Sequence, residues 1–369
     1  MRYRTRAIAV AFLAFALLAV SGRAARGQAF SSYVVQKIGL VGSPLNYGEG
    51  INDSGIAVGG CDPSGLLRPY ALRAAVFQNG QTSGAGVLYG FEGSYDYAIN
   101  ELGRSVGWAV ALLGIQPGPQ LTHAVLFAHG TAQDLGALPG PGNTSMAYAI
   151  NNLDVAVGYS QTTTSSHAVQ FAFFAGRAIT DLGTLPGDSS SVAYGINDTG
   201  MIVGSSFDAN VNEHAVQFAP GPVTALGTLP GDTISEARGI NNQGQAVGFS
   251  TAFRGPSHAV MFAGGRVIDL GIYPGGTHSS AHAINNLGQV IGTGDTGDGG
   301  FDHALLWQNG GVTDLGKLPG GSGSSANGIN DRGDIVGTAD DGDGTVWAVK
   351  WTLAHLSIPP TKGSVRPGS

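Results

Sequence analysis

The chain has 369 residues, of which 25 are acidic and 18 basic, and its formal net charge is −7. This charge argues against binding nucleic acid or an anionic membrane by bulk electrostatics. The single cysteine, Cys61, excludes an intrachain disulfide and a cysteine-based metal site, while 61 glycines and only 12% charged residues favour an all-β chain.

Residues 1–29 are predicted to be a secretory signal peptide. Arg2, Arg4 and Arg6 precede an apolar run over residues 7–20, and small residues follow. The run is short for a membrane span of about 20 residues, and an uncleaved anchor is the alternative. Removing the leader takes away basic residues and no acid, so the mature chain is more acidic still. We therefore expect a secreted protein whose mature chain has no membrane span.

The tripeptide Ile-Asn followed by Asp, Asn or Glu occurs seven times along the chain. Its asparagines are Asn52, Asn100, Asn151, Asn197, Asn241, Asn285 and Asn330. Successive copies lie 44 to 51 residues apart, which suits a four-stranded propeller blade and is too long for one coil of a β-helix. The repeat therefore predicts seven blades.

Each unit begins with a β-hairpin and continues with two further strands. In the fourth unit, residues 193–197 form the first strand, Gly200 turns the chain and residues 201–204 return. Five other units also have glycine at the turn, and the third has Asp154. We expect the Ile-Asn asparagines to cap these turns through their amides. A third strand of alternating pattern and a fourth strand complete the unit.

The N-terminal strand is predicted to close the ring. Six fourth strands lie between successive units, and the seventh lies upstream of the first unit, at Val34–Leu40. Pairing it beside Trp347–Trp351 ties the chain ends together and leaves no long unpaired edge, although His355–Ile358 could compete for that place. The sequence thus predicts an all-β, seven-bladed β-propeller over residues 30–356, with four antiparallel strands per blade and a C-terminal tail over residues 357–369. We expect it to be a monomer.

Three repeated elements carry a resemblance to a known family. They are the His-Ala-apolar-x-Phe third strand, the Asp-Leu-Gly-x-Leu-Pro-Gly turn and the hairpin that contains Ile-Asn-Asn-x-Gly. Over essentially the whole mature chain, the sequence resembles the HAF-repeat family of extracellular bacterial proteins. The resemblance implies a repeat fold and a periplasmic or extracellular location in a bacterium, and it implies no particular reaction.

The strand before each Ile-Asn has one position that does not repeat. If the N-terminal strand is outermost, this strand is innermost, next to the propeller axis. We call these seven positions the axial ring; they are Glu49, Tyr97, Tyr148, Tyr194, Arg238, His282 and Asn327. Aromatic faces on one arc and acid–base or anion-pairing groups on the other are typical of a site for a sugar-like or carboxylate ligand. The alternative is that these side chains only fill the wedge between blades.

Two functions are consistent with the axial ring. The first is a binding propeller without chemistry, because the chain has no Gly-x-Ser-x-Gly and no His-Glu-x-x-His motif. The second is a hydrolase of lactones or esters, or a lyase of uronate polymers, by analogy with other propellers. Then Arg238 would pair with the anionic oxygen, His282 would be the general base, and Glu49 or Tyr194 would supply the acid. The remaining ring residues, Tyr97, Tyr148 and Asn327, would contact the ligand.

Two further sets of residues resemble metal ligands. The repeated histidines His123, His167, His214, His258 and His303 lie on separate blades, so we expect each to hydrogen-bond a neighbouring loop. The loops of blades six and seven contain Asp295, Asp298, Asp302, Asp340, Asp341 and Asp343. Carboxylates suit Ca²⁺, so these neighbouring loops are a candidate calcium site, with a solvated acidic surface as the alternative.

Overall fold

The computed structural model describes residues 33–40, 42–65, 71–112, 120–140, 142–173 and 178–354. The predicted signal peptide, the tail and the segment His355–Ile358 lie outside the described residues. The described residues form 28 β-strands, and none of them belongs to a helix that could cross a membrane.

The first strand of the chain is β1 (Tyr33–Lys37), and the other strands follow blade by blade. Blade one contains β2 (Asn46–Ile51), β3 (Ala57–Cys61), β4 (Arg73–Gln78) and β5 (Gln81–Gly84). Blade two contains β6 (Gly93–Ile99), β7 (Ser105–Leu112), β8 (Gln120–Ala128) and β9 (Thr131–Gly136). Blade three contains β10 (Ser145–Ile150), β11 (Val155–Gln161), β12 (Ser166–Ala172) and β13 (Ile179–Gly183). Blade four contains β14 (Ser190–Ile196), β15 (Ile202–Phe207), β16 (Glu213–Ala219) and β17 (Thr224–Ala225).

The last three blades repeat this arrangement. Blade five contains β18 (Ile234–Ile240), β19 (Ala246–Thr251), β20 (Ser257–Ala263) and β21 (Arg266–Asp269). Blade six contains β22 (Ser279–Ile284), β23 (Val290–Gly294), β24 (His303–Gln308) and β25 (Gly311–Asp314). Blade seven contains β26 (Ser324–Ile329), β27 (Ile335–Asp340), β28 (Val346–Leu353) and, from the other end of the chain, β1. The chain is therefore a seven-bladed β-propeller, as predicted.

The hydrophobic core lies between consecutive blades. Val106 of blade two, for example, packs in one cluster with Val169 and Phe171 of blade three, and all three are almost fully buried. The alternation of the strands places apolar residues on both faces of each sheet, because each face meets a neighbouring blade. The innermost strands, which end in Ile-Asn, surround the axis.

The N-terminal strand closes the ring in the predicted place. Strand β1 pairs antiparallel with β28, and Val35 lies opposite Trp351, which is completely buried. Tyr33 and Val35 pack against the cluster that contains Trp351. Strand β28 continues to Leu353, beyond the predicted end at Trp351, because Tyr33 and Val34 provide pairing partners for its last residues.

The hairpin turns have the predicted left-handed residue. Gly200 has φ = 82° and Asp154 has φ = 61°, and the turn glycines of the other units also have positive φ. The asparagine oxygen caps the turn as predicted: in blade four, Asn197 Oδ1 accepts from the backbone N–H groups of Thr199 (3.1 Å) and Met201 (2.9 Å).

The same asparagines also form a closed ring of hydrogen bonds between blades. Asn197 Nδ2 donates to the backbone carbonyl of Asn241 in the next blade at 2.9 Å, and every blade repeats this bond until Asn330 donates to Asn52. The residue after each asparagine forms a second closed ring, in which its backbone N–H donates to a side-chain oxygen of its equivalent in the next blade. The tripeptide therefore repeats because it joins the blades.

The His-Ala pattern that repeats in the third strands also has a structural reason. His167 Nδ1 hydrogen-bonds Asp181 of the fourth strand at 2.9 Å, and the equivalent pair recurs in blades two, five and six. Blade four has Ala225 at the aspartate position, and there His214 Nδ1 lies 3.3 Å from Asp188. The prediction that each histidine hydrogen-bonds a neighbouring loop holds only for His214. The other four bond an aspartate of the fourth strand of their own blade, because that strand pairs with the third.

Candidate functional site

Every residue of the axial ring lies at a β-bulge. In each blade the first strand pairs with the second on both sides of the ring position and skips the ring residue itself, as Ala147 and Ala149 do around Tyr148. In blade three the Met146 carbonyl lies close to Gly158, so a Cβ added to Gly158 would lie 1.9 Å from the carbonyl oxygen. Bulges re-aim side chains. All seven ring residues keep accessible surface, whereas the residue before each is buried.

The three ring tyrosines are in mutual contact. The rings of Tyr97 and Tyr148 lie 5.1 Å apart, and those of Tyr148 and Tyr194 lie 5.4 Å apart. Both pairs are tilted, at 55° and 48°, within the range of arrangements that aromatic quadrupoles favour. The predicted aromatic arc is therefore a continuous surface around three blades.

Four more aromatic rings extend this arc, and the sequence interpretation did not include them. Tyr95 lies 5.1 Å from Tyr97, Tyr47 lies 6.0 Å from Tyr95, and Trp108 stacks on Tyr95 at 6.0 Å. Tyr159 stacks on Tyr148 at 6.1 Å. Together with the three ring tyrosines, these four residues form an aromatic cluster of seven. Tyr47 and Tyr95 stand two positions before a ring residue, so the period of two along a strand was the available signal.

Glu49 stands at one end of the aromatic arc. The Tyr95 hydroxyl donates a hydrogen bond of 2.5 Å to its Oε1 atom. Burial raises the pKa of Glu49 to about 7, and the bond from Tyr95 offsets only part of that rise. The ring continues into blade seven, where Asn327 Nδ2 donates to the Gly48 carbonyl at 2.9 Å. Glu49 can therefore change its protonation state near neutral pH.

Arg238 stands at the other end of the arc and is already engaged by a carboxylate. Its Nε atom donates to the buried Glu236, while 40% of the Arg238 side chain stays exposed. Burial, followed by the nearby charge of Glu236, raises the pKa of Glu213 well above its usual range. The sequence interpretation missed both glutamates. Glu236 stands two positions before Arg238, so the period of two along a strand was the available signal, whereas Glu213 lies on a third strand, outside the axial pattern.

His282 has the protonation state that a general base requires. Its Nδ1 atom lies 2.9 Å from the Ala326 carbonyl, which can only accept, so Nδ1 carries the hydrogen. Burial, and then the charge of Arg238, lower the pKa of His282 to about 4. The imidazole is therefore neutral at pH 7, and its Nε2 atom, 3.5 Å from Thr293 Oγ1, keeps a lone pair. The protonation state fits the predicted general base, but a pKa of about 4 makes the imidazole a weak base at neutral pH.

The acidic loops of blades six and seven hold their aspartates on separate partners. Asp341 accepts from Lys37 Nζ at 2.9 Å and from Trp347 Nε1 at 2.6 Å, and Asp295 accepts from Thr277 Oγ1 at 2.8 Å. The carboxyl groups of Asp298, Asp302 and Asp340 also hydrogen-bond nearby groups, and Asp343 donates its backbone N–H to Asp341 Oδ1 at 3.3 Å. Within the described residues, no three His, Cys, Asp or Glu side chains come together to hold a metal. The calcium site therefore stays a prediction.

The seven Ile-Asn tripeptides lie at the opposite mouth of the channel that runs along the propeller axis. A cavity of about 190 Å³ is lined there by residues of the seven Ile-Asn tripeptides. Its polar groups already hydrogen-bond one another around the two closed rings. This mouth therefore holds the blades together, and the bulged ring is the better candidate for binding.

Asp96 is a buried carboxyl beside the axial ring. It is completely buried, its Oδ2 atom accepts from Ser105 at 2.5 Å, and its Oδ1 atom has no partner among the described residues. Burial raises the pKa of Asp96 well above its usual value. Blade three has Ala147 and Ala156 at the positions of Asp96 and Ser105. The carboxyl is thus a local departure from the repeat.

Replacing this pair should stabilise the protein, and more so at high pH. Because the folded pKa of Asp96 lies above the unfolded value, its contribution to stability is retained at low pH and lost as the pH rises through the folded pKa. We expect the double variant Asp96→Ala/Ser105→Ala to gain about 1–3 kcal/mol in free energy of unfolding. Urea unfolding at acidic and alkaline pH measures the gain. A gain that does not grow with pH would contradict this account.

Comparisons with known proteins identify no family for the chain. No family model and no curated protein matches it. A puromycin-hydrolyzing peptidase from Mycobacterium tuberculosis is 14% identical over 72% of this chain, with a TM-score of 0.43, and the match spans only 46% of the peptidase. TolB from Acinetobacter baumannii is 12% identical, over 76% of this chain and 75% of TolB, with a TM-score of 0.41.

A PQQ-bound aldose sugar dehydrogenase from Streptomyces coelicolor is also similar in structure. It is 10% identical, over 87% of this chain and 99% of the dehydrogenase, with a TM-score of 0.36. Likenesses at such identities and scores carry no argument about function. The function has to be argued from the site itself.

Proposed function

We propose that this chain is a secreted, ligand-binding β-propeller of the HAF-repeat type, and that its axial ring binds a small sugar-like molecule. One observation carries the proposal: the position that does not repeat is displaced by a bulge in all seven blades and keeps accessible surface. Side chains that only filled the wedge between blades would need neither the variation nor the bulge. The leader over residues 1–29 supports a site of action outside the cytoplasm.

The aromatic arc supplies the binding surface in this proposal. Tyr97, Tyr148 and Tyr194 present adjoining faces with ring separations of 5.1 and 5.4 Å, and sugar rings bind such faces through their apolar C–H groups. The polar arc supplies hydrogen bonds that fix the orientation of the ligand, from the exposed part of Arg238 and from His282 Nε2. A few placed polar groups beside an apolar surface are typical of small-molecule sites.

A binding experiment with a matched tyrosine control tests the proposal. Short oligomers of glucose, N-acetylglucosamine and galacturonate would be titrated into the protein by calorimetry. We expect at least one to bind, and Tyr148→Ala to weaken that binding roughly tenfold, since an aromatic contact contributes about 0.5–1.5 kcal/mol. Tyr89, which is 99% exposed, provides the control variant Tyr89→Ala. Equal binding by Tyr148→Ala and wild type would contradict an axial site.

The state of His282 supports a second candidate function, that of a hydrolase or lyase. A neutral imidazole can accept a proton on Nε2, which lies 3.5 Å from Thr293 Oγ1, whereas a pKa of about 4 makes it a weak base at neutral pH. Product analysis of the same titrations separates the two candidates. Turnover that His282→Ala abolishes would indicate an enzyme, and unchanged ligand after long incubation would indicate a binding protein.

A further inference from the structure

The axial site contains more carboxyl groups than cations. The site holds three carboxyl groups, Glu49, Glu213 and Glu236, and one guanidinium, that of Arg238, while His282 is neutral at pH 7. Among the described salt bridges, Arg238 pairs with Glu236, and none involves Glu49 or Glu213. Glu49 therefore has no countercharge, and Glu213 has only the charge of Arg238, which it shares with Glu236.

Each of these two groups is surrounded by polar or aromatic neighbours and by no spare cation. Glu49 is faced by Tyr47 of its own strand, by Tyr95 and Tyr97 of blade two, and by the Asn327 side of blade seven. The hydroxyl of Tyr95 is the only group that donates a hydrogen bond to the Glu49 side chain among the described residues.

Glu213 is in a similar position at the far end of the arc. It is faced by Ser205 and Tyr194 of its own blade and by Glu236 and Arg238 of blade five. The Arg238 charge is shared with Glu236, whose carboxylate is hydrogen-bonded to Nε. Glu213 therefore meets more negative than positive charge.

The aromatic faces lie between these two carboxyl groups. Following the ring from blade one to blade five, the order is Glu49, then Tyr97, Tyr148 and Tyr194, then the Glu213–Glu236 pair. The negative faces of tyrosine rings attract a cation, and the attraction is stronger when the cation is desolvated. Aromatic faces flanked by carboxylates are complementary to an organic cation.

We propose that the ligand of the axial ring carries a positive charge, and that it is a cationic sugar such as an amino sugar, with its charge over the tyrosine faces between Glu49 and Glu213. This inference rests on the proposed function and specifies the class of ligand. The cation would supply the countercharge that Glu49 lacks and that Glu213 has to share with Glu236. Binding would then favour their ionised forms, so a proton held by Glu49 or Glu213 would leave to the buffer.

A cationic ligand has the opposite charge to the carboxylate ligand that the sequence suggested. An anionic group could reach Arg238 only beside Glu236, and it would oppose the ionisation of Glu213. Like charges in a poorly hydrated site repel each other and oppose binding. The two ligand charges therefore lead to opposite experimental results.

The experiment compares three oligosaccharide probes on the full mature protein. They are oligomers of N,N,N-trimethylglucosamine, of N-acetylglucosamine and of galacturonate, which are cationic, neutral and anionic. The trimethylated probe keeps its charge at every pH, so any pH dependence comes from the protein. We expect it to bind at least tenfold more tightly than the acetylated probe, a difference of about 1.4 kcal/mol. Calorimetry in buffers of different ionisation enthalpy should show proton release.

Two variants test whether the preference for the cationic probe depends on Glu49. Glu49→Gln keeps the size of the side chain and an oxygen for Tyr95, and it should lower the affinity for the trimethylated probe roughly tenfold without changing that for the acetylated probe. The affinity of wild type for the cationic probe should rise between about pH 6 and about pH 8 as Glu49 ionises, and Glu49→Gln should reduce that rise to the part that comes from Glu213. Glu101→Gln, at the opposite mouth of the channel, is the matched control and should behave like wild type.

The outcomes separate this inference from the proposed function. Equal or tighter binding of the neutral or anionic probe, if still weakened by Tyr148→Ala, overturns the cationic ligand and leaves the axial site standing. Binding of the cationic probe that neither Tyr148→Ala nor Glu49→Gln weakens overturns both. Tight cationic binding that depends on Glu49 and releases protons supports both.

Discussion

Deleting residues 32–40 is expected to unfold the propeller or to make it oligomerise. The deletion removes β1, which pairs with β28 along five residues and covers the completely buried Trp351. Partly buried Tyr33, Val35, Ile38 and Leu40 leave their clusters with it, at about 1–2 kcal/mol each, together with the hydrogen bonds of the strand. The sum is comparable to the whole stability of a typical domain, about 5–15 kcal/mol.

Urea unfolding and gel filtration measure this effect, and the alternation of β1 provides matched controls. Val35 points into the cluster around Trp351, whereas Val34 is 54% exposed. Val35→Asp should therefore lower the free energy of unfolding by several-fold more than Val34→Asp. Trimming residues 362–369 should have little effect. Equal tolerance of the N-terminal and C-terminal deletions would refute closure by the N-terminal strand.

Replacing one of the Ile-Asn asparagines, whose amides form the first closed ring of hydrogen bonds, is expected to lower the free energy of unfolding by about 3 kcal/mol. Asn197→Ala removes the bond to the Asn241 carbonyl and leaves the turn N–H groups of Thr199 and Met201 without their acceptor. The site is buried, so water does not fully replace these partners. Asn210→Ala, in an exposed loop of the same blade, is the control and should be within about 0.5 kcal/mol of wild type.

The isosteric variant Asn197→Asp tests the ring more sharply, because it keeps the acceptor and loses only the donor. Its carboxylate would face the Asn241 carbonyl, so its folded pKa should be raised. The variant should therefore be as unstable as Asn197→Ala at neutral pH and regain stability on acidification, when the protonated acid can donate. Equal stability of Asn197→Asp and wild type at pH 7 would mean that the ring bond contributes nothing.

Much of the fold followed from patterns that are local and repeated. The spacing of Ile-Asn gave the number of blades, the glycine at the turn gave the hairpin, and the count of fourth strands placed Val34–Leu40 beside Trp347–Trp351. The axial ring was also found in this way, because its residues vary where their neighbours repeat. Turn geometry and strand period depend on a few adjacent residues, so such features can be predicted from a single sequence.

The chemistry of the site depended on contacts that no local pattern records. The bulge at each ring position, the stacking of Tyr159 on Tyr148 and the pairing of Arg238 with Glu236 appear only when the blades are assembled. Glu213 approaches Glu236 from another blade, and this contact changes the charge balance around Arg238.

The sequence by itself therefore determined a seven-bladed propeller closed by its first strand, and it named the residues at the axis. Only the tertiary structure decided that Arg238 is already paired, that Glu49 titrates near neutral pH and that His282 is neutral. The physical reason is that strand period and turn chemistry are properties of short segments, whereas desolvation and charge pairing are set by groups far apart in the chain.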